Sequence, residues 1–187
     1  MLTITQPFWR KEPFSDEARN LLDELTLAHE ASAQRQNIST FTFQNVAQGS
    51  GDYTRGLAAA LLSLGGIHAP LEQTMELLRD ARADATAADM VDSGLLVPGW
   101  GNSFVKGMKD PLWIHVDAAL HKDFEPLWDR LESVTAVLHG MDVMIYPNPS
   151  AYTAAAALAV GLPDHLAAYL FVVGRLDGWT SQLLRKD

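Results

Sequence analysis

Apolar positions along this chain recur mostly three and four residues apart, the spacing of helices with one buried face. Leu21, Leu22, Leu25 and Ala28 form one such stripe, and Phe124, Leu127, Leu131, Val134 and Leu138 form another. Ser15-Asp16-Glu17 precedes the first as an N-cap with acidic first-turn residues, where anions meet the positive helix end. Shorter helices are predicted over 37–46, from an Asp52 cap to Gly65-Gly66, over 70–82 and over 86–91. Asp123 is the expected cap of the second stripe, which stops at Gly140. Tyr146-Pro147-Asn148-Pro149 reads as a turn opening an alanine-rich helix over 150–160, and Pro163 opens a last helix to about Arg185. Only 114–117 and 143–145 suggest strand, and both are short. The expected fold class is all-α, with no internal repeat or linker, and 1–187 as one domain.

One segment interrupts the helical pattern. Residues 94–111 hold four glycines and two prolines, so a structured loop is expected there.

Composition narrows the function classes. A chain of 187 residues with 48% hydrophobic and 20% charged positions can bury a substantial core. A net charge of −9 argues against a nucleic-acid backbone or an anionic membrane as the main partner. With no cysteine there is no disulfide, thiolate metal site or cysteine nucleophile. Residues 1–13 carry no signal-like apolar run, and the longest apolar run, 151–162, is too short to span a bilayer. A soluble cytoplasmic protein is the expectation. The six histidines show no metal-ligand spacing, and no phosphate loop, dinucleotide fingerprint or nucleophile elbow is present.

The loop itself carries more. Val97-Pro98-Gly99-Trp100-Gly101-Asn102, followed by Asp110-Pro111-Leu112, resembles the signature loop of citrate synthases, Pro-Gly-aromatic-Gly-His and Asp-Pro-Arg. Four further segments resemble that superfamily in the same order: 27–40, with Ala28-His29-Glu30 and Asn37-Ile38-Ser39-Thr40; 55–73, with Gly65-Gly66-Ile67-His68; Pro147-Asn148-Pro149-Ser150-Ala151-Tyr152; and 170–179, with Arg175 and Gly178-Trp179. The resemblance covers about residues 20–185 and implies a citrate synthase-like helical domain, short relative to the family. It further implies a homodimer, with helices at 53–64 and 68–79 in the interface. CoA or an acyl-CoA would enter as substrate, with no permanently bound cofactor and no metal.

In that family an aspartate deprotonates a CoA thioester, one histidine bonds the thioester oxygen, and a second polarises a keto acid. An enolate at neutral pH needs both a placed base and an oxyanion donor. Carried over by position, His68 matches the thioester-oxygen histidine, while Asn102 replaces the second histidine and Ser150 replaces the base. His29 and Arg175 match substrate-binding positions. Leu112 removes a carboxylate-binding arginine. Val97, Gly99, Trp100, Gly101 and Lys106 fall where the family approaches CoA. For His29, a structural role on its amphipathic helix competes with substrate binding. For Arg175, a structural ion pair competes with an anion site, since a buried arginine needs a partner.

Losing one acid–base residue costs roughly 10²–10⁴-fold in rate. Two readings follow: a relative impaired for citrate formation that binds a CoA thioester or serves a regulatory role, and an active enzyme making or cleaving a C–C bond on a different CoA thioester.

Overall fold

The computed structural model describes residues 13–35, 37–63 and 69–184. Within them run nine α-helices: α1 (Asp16–Ser32), α2 (Ile38–Ser50), α3 (Tyr53–Leu62), α4 (Leu71–Arg79), α5 (Ala83–Asp92), α6 (Ile114–Asp123), α7 (Glu125–Gly140), α8 (Pro149–Ala159) and α9 (Asp164–Leu184). The caps explain several starts. Ser15 accepts from the Ala18 N–H, Asn37 from Thr40 and Asp52 from both Thr54 and Arg55, each side chain satisfying a first-turn donor that no carbonyl can reach. Gly51, with φ +65°, ends α2 in the left-handed conformation.

Three expectations change. Residues 114–117 are not strand: Pro111–Trp113 form a 3-10 turn that runs directly into α6, whose Val116, Ala119 and Leu120 are buried. Residues 143–145 pair with no strand, and the single β-bridge among the described residues joins Trp100 to Pro147. Asp123 is the last residue of α6; α7 starts from Phe124 without a side-chain cap, with Pro126 in its first turn. α3 ends at Leu62, and Gly65-Gly66 lies outside the described residues.

Helix α8 is the centre of the main core. Its residues from Ser150 to Ala157 are all buried, and the alanines let α1, α4, α6, α7 and α9 approach it from several sides. A second, smaller cluster holds the α2–α3 hairpin against α9 through Phe43, Ala47, Ala60, Val172 and Trp179. Phe43 and Trp179 stack at 5.4 Å, and the indole N–H donates to Thr40. Helices α1 and α9 meet at Gly174 and Gly178. A Cβ at Gly174 would lie 2.6 Å from that of His29, and one at Gly178 would lie 2.5 Å from the Glu30 carbonyl oxygen. That close crossing brings His29 and Arg175 together.

Candidate carboxylate-binding site

Two backbone bonds stitch the glycine loop to the turn that opens α8. The Gly101 N–H donates to the Tyr146 carbonyl at 3.0 Å, and the Asn148 N–H donates to Gly99 at 2.9 Å. The Asn148 amide adds a bond to the Gly101 carbonyl while its oxygen caps Ser150. Gly99 (φ +88°) must be glycine, because a Cβ there would sit 2.5 Å from Thr74 Cγ2 on α4. This stitching places Asn102 and Ser150, 48 positions apart in the chain, on the wall of one cavity of about 280 Å³. Arg35, Phe171, Arg175 and Ala69, which holds φ +57°, also line it. The volume is at the small end for ligand pockets.

Arg175 is the decisive side chain. It is 2% exposed on α9, and no carboxylate among the described residues pairs with it. Its partners are neutral: Asn37 Oδ1 at 3.0 Å, Ser39 Oγ at 2.9 Å, Ser32 Oγ at 3.4 Å and His29 Nδ1 at 3.4 Å, with the Phe171 ring 4.0 Å below the guanidinium. Burial pulls its pKa down to about 9, so it keeps its charge at neutral pH. A desolvated cation without a counter-ion costs several kcal/mol, which an anion in the cavity would offset.

His29 stands behind Arg175 and does not line the cavity. It is fully buried, edge-on to Trp113 and Phe171. Arg175 Nε can only donate, so His29 Nδ1 accepts and Nε2 carries the proton toward Thr153 Oγ1 at 2.8 Å. Burial, then the charge of Arg175, hold its pKa well below the usual histidine value. Neutral His29 orients the arginine.

Asn102 also has a fixed orientation. Its Nδ2 donates to Asp110 at 3.0 Å while its Oδ1 accepts the Phe104 N–H at 2.9 Å, and an acid on one end and an amide donor on the other allow no flip. Asp110 is buried and takes a forked pair from Arg35 and the Leu112 N–H as well. Ser150 lines the cavity, and no histidine, lysine or carboxylate among the described residues bonds its hydroxyl. His68 lies outside the described residues.

The loop residues divide. Gly101 lines the first cavity. Lys106 lines a second cavity of about 300 Å³ with Met108, Met144, Tyr146 and Asp110, and Asn102 belongs to both walls. Val97 and Trp100 are buried in the core instead, the Trp100 indole donating to Thr135 on α7, and Gly99 packs on Thr74 and Ala151. Asn37 and Ser39 lie in a segment that resembles the family, but no spacing in the sequence shows that Ser32, Asn37 and Ser39 converge on residue 175 or Arg35 on residue 110.

The family model for the citrate synthase C-terminal domain matches residues 4–187. The chain belongs to the citrate synthase family. It is 27% identical over 165 residues to a 2-methylcitrate synthase of Shewanella oneidensis, covering 80% of this chain and 42% of that relative. The chain thus spans less than half the length of that relative. Among solved structures, citryl-CoA lyase from Hydrogenobacter thermophilus superposes with a TM-score of 0.75 at 18% identity, covering 92% of this chain and 70% of that one. Citrate synthase from Thermotoga maritima gives 0.76 at 21% identity, over 92% and 49%. These two likenesses establish the fold. Among the described residues no helix is long and apolar enough to cross a membrane.

Proposed function

We propose that the protein binds a small carboxylate at Arg175 and the thiol end of CoA or the thioester end of an acyl-CoA in the second cavity, and is impaired for citrate formation. The observation that carries this reading is the buried guanidinium on the cavity wall, held by neutral groups and lacking a carboxylate partner among the described residues. The methionine-lined second cavity suits the neutral thioester arm of a CoA compound and Lys106 suits its anionic phosphates, with the Asn102 amide on the walls of both cavities. The relatives named citryl-CoA lyase and 2-methylcitrate synthase support the same ligand classes.

Impairment rests on what the walls offer. The described lining of the first cavity includes no carboxylate and no imidazole, and the Ser150 hydroxyl is not a base at neutral pH. Asp110 in the second cavity is engaged by Arg35, Asn102 and the Leu112 N–H, so it has no lone pair placed for proton abstraction. Isothermal titration with CoA and acetyl-CoA should give binding, and a thiol-release assay with oxaloacetate should give none above background. Oxaloacetate-dependent release that disappears in His68→Ala would instead establish an active enzyme. That second reading draws on one observation, that Asn102 lines both cavities. Asn102→His with Ser150→Asp should restore slow α-proton exchange of acetyl-CoA in heavy water, because enolisation needs only a base and an oxygen donor.

The protein is further proposed to pair as a homodimer in the cytoplasm. Exposed Leu61 and Leu62 at the end of α3, and Ile38 and Phe41 on α2, are apolar surface a second copy would cover. A monomer in sedimentation at micromolar concentration would remove this part of the reading.

A further inference from the structure

The two arginines of the first cavity differ in what they have left to give. Arg175 faces only neutral groups, so its full charge is available to a ligand. Arg35 is 27% exposed at the other side of the wall, but both its terminal nitrogens are on Asp110, whose side chain is 1% exposed and therefore shares a poorly screened environment with it. The pair cancels. The cavity therefore offers one uncompensated positive charge among the described residues. The remainder of the described wall is neutral: the hydroxyls of Ser103 and Ser150, the second N–H of Asn102, and the apolar faces of Ile38 and Phe104 among them. Leu112, beside Asp110, packs against the hydrophobic core and adds no charge.

We infer that this cavity selects a short monocarboxylate carrying an oxo or hydroxyl group, and discriminates against dicarboxylates. The inference rests on the carboxylate reading of Arg175 given above. The carboxylate seats on Arg175, and the oxo or hydroxyl oxygen meets the Ser150 hydroxyl or the Asn102 amide. A second carboxylate would be desolvated opposite the neutral described wall, where Arg35 is already neutralised by Asp110 and offers no net charge to offset that cost. The Arg35–Asp110 pair is thus the specificity-determining element, and its acid is the part that sets the count of charges.

Titration calorimetry of the whole chain with pyruvate and lactate, against oxaloacetate and malate at matched ionic strength, tests the selectivity. The expected wild-type result is monocarboxylate binding at least about ten-fold tighter than dicarboxylate binding, a difference of one unscreened charge contact. Asp110→Asn frees Arg35 and should shift the ratio of dicarboxylate to monocarboxylate affinity about ten-fold toward the dicarboxylates. Arg175→Gln should weaken binding of both classes about 100-fold. Dicarboxylates binding as tightly as monocarboxylates in the wild-type chain, with dependence on Arg175, would overturn the selectivity and leave the carboxylate site standing. No binding of either class would overturn both. If Asp110→Asn does not fold, the wild-type ratio alone still separates these outcomes.

Discussion

Arg175 on α9 and Lys109 in the glycine loop are both cations packed among helices, yet their surroundings are opposite. Lys109 is 38% exposed and reaches two acids, Glu132 at 2.6 Å and Asp117 at 3.3 Å, while Tyr152 donates to Asp117 at 3.2 Å. Burial opposes its charge, but the Glu132 bond and the Asp117 charge outweigh that and hold its pKa above the ordinary lysine value. Burial also raises the Tyr152 hydroxyl, which stays protonated as the donor of that network. Arg175 is more deeply buried and has no acid among the described residues. A cation with its counter-ions built in ties elements together, here the loop, α6, α7 and α8. A cation held by hydroxyls, an amide and a neutral imidazole is kept in place without being neutralised, and its charge remains for a ligand.

The sharpest way to break this contrast is to remove each charge in turn. Arg175→Gln should weaken carboxylate binding about 100-fold, on the order of 2.7 kcal/mol. Urea denaturation should show its stability changed by less than about 1 kcal/mol, because the lost hydrogen bonds are offset by the lost desolvation of the cation.

Close packing of α1 on α9 supports the Arg175 side and can be attacked separately. Gly178→Ala forces a Cβ onto the Glu30 backbone oxygen and the Ala33 Cβ, at 2.5 and 2.7 Å, and neither can swing aside. A loss of about 2 kcal/mol in unfolding free energy is expected. Gly174→Ala meets His29 instead, so calorimetry should show weaker carboxylate binding together with the lower stability.

The neutral state of His29 gives a pH test. Its folded pKa is lowered, so below the ordinary value of 6.5 the unfolded chain binds a proton that the folded chain refuses. Stability should therefore fall as pH drops from 7 to 5, by up to about 1.4 kcal/mol per unit from this residue. His29→Gln should flatten that part of the urea-midpoint profile.

The smallest effect is expected on the Lys109 side. Lys109→Met removes a partly exposed network cation and should cost about 0.5–1 kcal/mol in thermal or urea unfolding. Carboxylate binding should not change. If it falls as far as in Arg175→Gln, the two cations are not separate and the contrast fails.

The amino-acid sequence by itself determined the elements whose signals are local. Ser15, Asn37 and Asp52 cap helices because a side-chain oxygen reaches its own next turn, and the stripe of Leu131, Val134 and Leu138 is buried as its spacing requires. The order of the glycine loop, the Asn148 turn and Arg175 was likewise enough to place the chain in its family. Residues 114–117 depart from the strand expectation because four residues carry too little periodicity; burial of Val116 and Leu120 against the core decided them. Only the tertiary structure joined Asn102 to Ser150 through the Gly101–Tyr146 and Asn148–Gly99 bonds, moved Trp100 into the core, and set His29 behind Arg175. It also decided which arginine is neutralised. Charge pairing depends on distance in space and on desolvation, and Arg35 meets Asp110 across 75 positions of chain that no local pattern encodes.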